Sequence, residues 1–147
     1  MPYKVIVVGT DGSERGSVAV SEALALAKMA GAKLHAIQVV HPAVEAGHVE
    51  SKAWQLAIDR ERDEVETFKT QLVAEAERQG VSVVSHTPGG SDVADALIST
   101  AAAVDADLVV VGNRGMSGVT RFVLGSVPNK VAHHCHCSVL IVNTDAT

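Results

Sequence analysis

Three short runs of the chain consist of β-branched residues and leucine without a polar interruption, and they limit the possible fold more than any other feature. The runs are VIVV at residues 5–8, LVVV at 108–111 and VLIV at 139–142. A strand that faces water on one side alternates apolar and polar residues, whereas strands like these are covered on both faces. Continuous apolar strands are typical of a parallel sheet between two layers of helices.

Two further strands and four helices alternate with these runs. The predicted strands are Lys4–Val8, Lys33–Val40, Val81–His86, Leu108–Val111 and Ser138–Val142. The predicted helices are Ser17–Ala30 before Gly31, Lys52–Gln79 before Gly80, Asp92–Val104 with Ser91 or Asp92 as N-cap, and a last helix from about Gly125 to His134. This alternation predicts one α/β domain over residues 1–147, a doubly wound open parallel five-stranded sheet with helices on both faces.

One stretch, His41–Ser51, has no regular pattern and contains Pro42 and Gly47. It follows the predicted second strand, at the end of the sheet where ligands bind in folds of this kind. The stretch is therefore either a flap over a binding site or a plain surface loop.

Charge and composition exclude several classes of partner. The formal net charge is −5, so the chain lacks the clustered Lys and Arg that nucleic acid binding or a polybasic membrane anchor requires. Its apolar runs are shorter than the roughly 18 residues of a membrane helix, and its first residues do not resemble a signal peptide. We therefore expect a cytoplasmic protein that binds neither nucleic acid nor membranes.

Two glycine-rich loops directly follow continuous apolar strands. The first is Gly9-Thr10-Asp11-Gly12-Ser13; the second is Gly112-Asn113-Arg114-Gly115, which leads after nine residues to Gly125-Ser126. Glycine lets the backbone approach a phosphate closely, and the N–H groups at a helix start donate to anions. The pattern matches neither a Walker A loop nor a G-x-G-x-x-G fingerprint. It indicates a phosphate site, with ordinary turns and a helix cap as the alternative on spacing alone.

The G-x2-G-x9-G-[S/T] spacing, the first strand running into Asp-Gly-Ser, and the tail GSVPNKVAHHCHCSVLIV together resemble the universal stress protein family. The resemblance covers nearly the whole chain, from Val5 to Val142, and the glycine spacing marks the branch of the family that binds ATP. It implies the strand order 3-2-1-4-5 and a homodimer that pairs the last strands, here Ser138–Val142. It also implies a stress-response regulator or sensor that acts by binding a nucleotide and is not an enzyme.

The resemblance assigns the site residues by position. Asp11, with Thr10 and Gly12, is expected near the ribose or a phosphate-bound divalent metal such as Mg²⁺. Ala36 matches the position whose backbone hydrogen-bonds the adenine edge, and Gly112 matches the position that contacts the ribose. The phosphate tail is assigned to Arg114, Gly115, Gly125, Ser126 and Val127. No catalytic residue and no metal held by the protein alone is expected.

The chain departs from the family pattern at two positions, of which the first affects the sheet edge and not the pocket, and the second leaves the identity of the nucleotide open. Ser138 follows Cys137 where relatives often have proline, and Pro128 stands where many have serine. This variant is similar to actinobacterial members, some of which prefer cyclic AMP to ATP. The alternatives are therefore a cyclic AMP reservoir, a slow ATPase that depends on Asp11, and a dimer module with an empty pocket.

The run His133-His134-Cys135-His136-Cys137 contains residue types that bind zinc. Five consecutive residues leaving a helix point in several directions, and structural zinc sites usually draw on two separated pairs. We therefore expect a helix C-terminus whose histidines complement the helix dipole, with a metal site or a reactive thiol as the weaker alternatives. The two cysteines are too close in sequence for an easy strain-free disulfide.

Overall fold

The computed structural model describes residues 3–46, 51–113 and 124–144. Within these ranges the strands and helices alternate along the chain as predicted, with one additional short helix. The order is β1 (Val5–Gly9), α1 (Glu14–Ala30), β2 (Lys33–Ile37), α2 (Pro42–Ala46), α3 (Lys52–Gln79), β3 (Val83–His86), α4 (Val93–Ala103), β4 (Leu108–Gly112), α5 (Ser126–His134) and β5 (Ser138–Val142).

The five strands form one sheet in the order β3-β2-β1-β4-β5, and every neighbouring pair is parallel. Both the fold class and the strand order are thus confirmed. Because the chain moves outward from β1 to β3 and then returns to β4 on the other side of β1, the strand order reverses between β1 and β4. The loops that follow these two strands therefore lie side by side.

Two separate apolar cores cover the two faces of the sheet. Alternate residues of β1 point to opposite sides, so that Ile6 packs against α1 and α3 whereas Val7 packs against α4 and α5. Both side chains are fully buried. Because helices cover both faces of β1 and β4, these strands contain continuous apolar runs. The strand β5 has the same composition but lies at the sheet edge, and its residues from Val139 to Val142 are only half-buried.

Side-chain and glycine caps explain most of the predicted helix boundaries, and one boundary that was predicted too late. Gly31 and Gly80 end α1 and α3 in the left-handed conformation, with φ of 66° and 72°, which glycine adopts without a steric penalty. The side chain of Asp92 accepts a hydrogen bond from the N–H of Asp95 at the start of α4. Asp92, of the two candidates, is therefore the N-cap. Helix α1 begins earlier than predicted, at Glu14, because the Ser13 side chain caps it.

Two predicted strand boundaries and one predicted loop also need correction. Strand β3 begins at Val83 and not at Val81, because the Val81 N–H donates to the Ala76 carbonyl and closes the end of α3. Strand β2 ends at Ile37, and Val40 forms only an isolated bridge with Gly89. The stretch predicted to be irregular contains the helix α2, while residues 47–50 lie outside the described ranges. Among the helices described, none is both long and apolar enough to cross a membrane.

A histidine pair joins β2 and β3. The His35 Nδ1 and the His86 Nε2 lie 2.9 Å apart, and His35 is buried. Burial lowers the pKa of both imidazoles, and that of His35 is lowered further by His86 and Lys33. The contact needs one nitrogen as donor and the other as acceptor, so at least one ring must be neutral in the folded protein.

Candidate functional site

A cleft of about 250 Å³ opens where the strand order reverses, between the carboxyl ends of β1 and β4. Its walls come from the loop after β1, from α1, from the segment after β2, and from the starts of α4 and α5. The lining is mostly apolar with a few polar groups, which is the usual composition of a small-molecule site. The lining residues are Gly9, Thr10, Asp11, Arg15, Gly16, Ala19, Val39, Val93, Leu97, Val111, Gly112, Gly125, Ser126, Val127, Pro128 and Thr144.

The loop after β1 is held in shape by its own side chains. The Gly12 N–H donates to the Thr10 hydroxyl oxygen (3.1 Å), and the Ser13 N–H donates to the Asp11 carboxylate (2.9 Å). The Gly16 N–H in turn donates to the Ser13 hydroxyl (3.0 Å). These short-range bonds hold the loop in one conformation, and among the described residues the second carboxylate oxygen of Asp11 accepts no hydrogen bond.

Gly16 allows α1 to pass close to this loop. A Cβ atom at Gly16 would lie 2.6 Å from the Thr10 hydroxyl oxygen and 2.7 Å from an Asp11 carboxylate oxygen. Both distances are shorter than a van der Waals contact, so a side chain at this position would displace the two residues that floor the cleft. The absence of a side chain at Gly16 therefore determines where Thr10 and Asp11 lie.

The start of α5 faces the cleft with N–H donors that have no backbone acceptor among the described residues. Gly125 is the N-cap, and Ser126 and Val127 are the first two helical residues. The first N–H groups of a helix have no intrahelical acceptor, so those of Ser126 and Val127 can donate to an anion. The helix dipole adds partial positive charge at the same place.

Asn113 holds the two sides of the cleft together. Its backbone N–H donates to the Val142 carbonyl (2.9 Å), and its own carbonyl accepts from the Gly125 N–H (2.9 Å). Its side-chain oxygen accepts from both the N–H and the hydroxyl of Thr144. One residue thus ties the end of β4, the end of β5 and the start of α5 into one unit.

The structure brings together most of the residues that the sequence predicted. Six line the cleft: Thr10, Asp11, Gly112, Gly125, Ser126 and Val127. Gly12 is outside the cleft lining; it has a φ of 80°, and a Cβ atom there would lie 2.8 Å from the Gln38 side-chain nitrogen. Arg114 and Gly115 lie outside the described residues.

Ala36 requires a correction, because it lies in the interior of the sheet. It pairs with Val8 of β1 and with Ser85 of β3, and its side chain is buried in the core under α1. Its position keeps it out of the cleft lining. The residue of this segment that does line the cleft is Val39, three positions later, beyond the last ladder pair of β2.

Val39 has backbone groups to offer to a ligand. On the β3 side, the Gln38 N–H donates to the His86 carbonyl (3.0 Å) and the Val40 N–H to the Pro88 carbonyl (2.9 Å). Between them, within the described part of the chain, the N–H and carbonyl of Val39 have no backbone partner. Alternation along an extended chain turns these groups away from β3 and toward the cleft.

Sequence reasoning missed three further residues of the site. Arg15 adds a positive charge to the lining, Asn113 positions the start of α5, and Thr144 closes the β5 side. Arg15 lies only two residues after Ser13 in the first helical turn, so a helix that starts at Ser13 instead of Ser17 would have indicated it. Thr144 follows the last strand, and only the contact across the sheet reveals its place.

An open parallel sheet with a cleft at the reversal of strand order, facing a helix N-terminus, defines an α/β ligand-binding protein of the doubly wound class. A sequence profile of the universal stress protein family matches residues 2–143 of the chain. The chain therefore belongs to the universal stress protein family.

Individual relatives agree with this assignment. The chain is similar to a universal stress protein of Methanocaldococcus jannaschii, with 33% identity over 95% of this chain and 82% of the relative. A universal stress protein of Mycobacterium tuberculosis is 34% identical over 97% of both chains. Among solved structures, a universal stress protein in complex with cAMP is 35% identical, with a TM-score of 0.66 and coverage of 97% of this chain and 98% of that one.

Proposed function

We propose that this protein binds an adenine nucleotide, ATP in the first instance, and that it acts as a stress-response regulator or sensor by binding rather than by turnover. One observation carries the proposal. The cleft has, on one side, the backbone groups of Val39 and, on the other, the N–H groups of Ser126 and Val127, none of which has a backbone partner among the described residues. The backbone groups of Val39 can pair with an adenine edge, and the N–H groups of Ser126 and Val127 can donate to a phosphate.

The base end of the site is apolar with one pair of backbone groups. Val93, Leu97 and Val111 supply an apolar surface for an aromatic ring. Adenine presents a donor and an acceptor on the same edge, which a backbone carbonyl and N–H can satisfy together. The free groups of Val39, and not those of Ala36, are therefore assigned this role.

The phosphate end has donors and charge but no lysine among its described lining residues. The Ser126 and Val127 N–H groups and the Ser126 hydroxyl can donate to phosphate oxygens. Arg15 supplies positive charge from the opposite wall. With ATP, the carboxylate of Asp11 would hold a phosphate-bound Mg²⁺, since carboxylates and phosphates together are its usual ligands.

Cyclic AMP is the second candidate, and a specific observation favours it. The 35% identical universal stress protein was solved in complex with cAMP. Cyclic AMP has one phosphate with a single negative charge and needs no metal ion, whereas the glycine spacing from Gly112 to Gly125 suits a longer phosphate tail. A cyclic AMP binder would act as a reservoir of that nucleotide.

Binding without turnover is proposed because the described lining offers no acid–base pair. Asp11 is its one carboxylate, and no histidine lies in the described part of the wall. General acid–base catalysis needs a positioned group within hydrogen-bond reach of the reacting proton. A slow ATPase would show itself by phosphate release that the variant Asp11→Asn abolishes. Phosphate release above background in the wild type would contradict this part of the proposal.

A homodimer through β5 is proposed to carry the signal in the cytoplasm. The edge strand Ser138–Val142 has half-buried apolar side chains and, within the described residues, pairs with β4 on one side only, and such edges tend to pair. Since Thr144, two residues after β5, lines the cleft, the ligand and the dimer partner would contact neighbouring parts of one segment. Sedimentation velocity should give a dimer at micromolar concentration, and a monomer would contradict this part.

The test of nucleotide binding is calorimetric titration of the purified protein with ATP and with cyclic AMP, each with and without Mg²⁺. The variant Val93→Trp fills the apolar end of the cleft and should weaken binding at least about tenfold, which corresponds to about 1.4 kcal/mol. Its matched control is Ala102→Trp, an exposed position on the same helix, which should bind as the wild type does.

The two nucleotides separate the candidates. Tighter ATP binding that requires Mg²⁺ supports the ATP site, and tighter metal-independent cyclic AMP binding supports the reservoir. Binding of neither nucleotide, or equal binding by Val93→Trp, would contradict the assignment of this cleft.

A further inference from the structure

A second cluster of ligand-type side chains lies at the other end of the sheet. Cys135 follows the last residue of α5, and Cys137 precedes the first residue of β5, with His136 between them. The two sulfur atoms and a ring nitrogen of His136 all lie within 4.8 Å of one another. Three of the five residues in the His-Cys run thus converge, although the sequence suggested that the run would point in several directions.

The separation of the two sulfur atoms suits a shared metal ion. The Sγ atoms of Cys135 and Cys137 are 3.8 Å apart. Two thiolates bound to one zinc ion at about 2.3 Å, at the tetrahedral angle, are separated by about 3.8 Å. A disulfide instead requires contraction to about 2.0 Å, across a single intervening residue.

The surroundings favour a cation. Cys135 caps α5, and its N–H donates to the Val131 carbonyl, so the cluster lies at the negative end of the helix dipole. The Asp107 carboxylate is close enough to act electrostatically on Cys137. Two backbone N–H groups, of Lys4 and Val5, donate to Asp107 and fix its position.

We propose that Cys135, His136 and Cys137 form a binding site for a thiophilic metal ion of the Zn²⁺ class, with a fourth coordination position open to solvent or to an exchanging ligand. Two sulfurs and one imidazole nitrogen are the ligand set of such ions. His136 is exposed and both cysteines are half-buried, so an ion can enter from the solvent without unfolding the chain.

The site is independent of the nucleotide cleft. Cys137 adjoins the amino end of β5, whereas the cleft lies at the carboxyl ends of the parallel strands. Loss of the metal ligands should therefore leave nucleotide affinity unchanged, and absence of nucleotide binding would leave the metal proposal intact.

The experiment titrates untagged, reduced, metal-free protein with Co²⁺ and then with Zn²⁺. We expect one Co²⁺ per chain, with the intense visible bands of a tetrahedral ion and the ultraviolet charge transfer of a cobalt–thiolate bond, both displaced by Zn²⁺. The double variant Cys135→Ser/Cys137→Ser should lose the charge-transfer band. It should also weaken Zn²⁺ binding, measured against a chromogenic chelator, by more than the roughly 10–100-fold typical of changes to residues that only support metal ligands.

Two further variants keep the test decisive. His136→Gln changes an exposed residue and should weaken Zn²⁺ binding without lowering the melting temperature, so that a folding defect in the cysteine variant cannot explain the result. His133→Gln/His134→Gln removes the neighbouring exposed histidines and should bind Zn²⁺ as the wild type does. Binding that survives loss of both cysteines, depends on His133 and His134, or never shows the thiolate band would overturn the proposal.

Discussion

The side-chain oxygen of Asn113 accepts two hydrogen bonds from Thr144, one from its N–H at 3.0 Å and one from its hydroxyl at 2.9 Å. The two residues follow β4 and β5, and both bonds are partly buried. Since the backbone of Asn113 also binds Gly125, this contact connects the last strand to the helix start that faces the ligand.

The variant Asn113→Ala should lower both stability and nucleotide affinity. It leaves the Thr144 N–H and hydroxyl without their acceptor, and a buried donor left unpaired costs about 1–3 kcal/mol. Urea unfolding should show this loss, and calorimetry should show weaker binding as the start of α5 loosens. The matched control is Asn113→Asp, which keeps an acceptor oxygen. It should retain most of the stability and most of the nucleotide affinity. Equal behaviour of the two variants would argue against the hydrogen-bond explanation.

Replacement of Gly16 by alanine should weaken binding although alanine is the better helix former. The exchange gains about 1 kcal/mol of helix propensity, but the new Cβ would lie within 2.7 Å of atoms of Thr10 and Asp11. Overpacking of this kind costs about 1–3 kcal/mol, and relief requires Thr10 and Asp11 to move. We expect a loss of nucleotide affinity, measured by calorimetry, whose free energy exceeds any loss in the free energy of unfolding.

The control for that exchange is Ser21→Ala, an exposed position of the same helix. It should keep the affinity and slightly raise the melting temperature through propensity alone. If Gly16→Ala binds nucleotide as tightly as Ser21→Ala does, then the close approach of α1 does not position the cleft floor.

Acid should destabilise the protein through His35 and His86. Burial lowers the pKa of both groups below the usual 6.5, so the unfolded chain binds more protons than the folded one when the pH falls below that value. The stability they contribute is therefore present above about pH 6.5 and is lost as the pH falls toward their folded pKa values. Urea midpoints at pH values on both sides of about 6.5 measure the loss.

The double variant His35→Asn/His86→Gln tests the assignment of this pH dependence. The two amides place polar nitrogen and oxygen near the original ring nitrogens but do not titrate. The decline in the urea midpoint between neutral and mildly acidic pH should become smaller than in the wild type. An unchanged decline would mean that other groups are responsible.

The residue pattern was sufficient to predict the fold class and the sequence of strands and helices, because the capping residues and the apolar runs indicate the same elements. Residue types that need cover on both faces mark β1 and β4, and glycine at residues 31 and 80 ends two helices. The edge position of β5 was not visible in its composition, since VLIV reads like a central strand. Its half-buried state follows from strand order, which the family resemblance supplied and the residue pattern did not.

Site residues were predictable where they come directly after a strand. They were not predictable where their place depends on the residue at which a strand stops pairing. Thr10, Asp11 and Gly112 adjoin the ends of β1 and β4, so their place follows from the strand assignment alone. Ala36 was assigned by its position in the family resemblance, and the residues of this segment do not show that the last ladder pair of β2 falls at Ile37. Three residues separate Ala36, which is buried in the core, from Val39, which lines the cleft.

Amide chemical-shift mapping with ATP and Mg²⁺ tests the central claim most directly, because it reports residue by residue where the nucleotide binds. We predict saturable shifts at Val39 and at Ser126 and Val127, with none at Cys135 and Cys137 at the far end of the sheet. Shifts confined to surfaces away from the cleft, or no shifts with either ATP or cyclic AMP, would contradict the account of this cleft as an adenine nucleotide site.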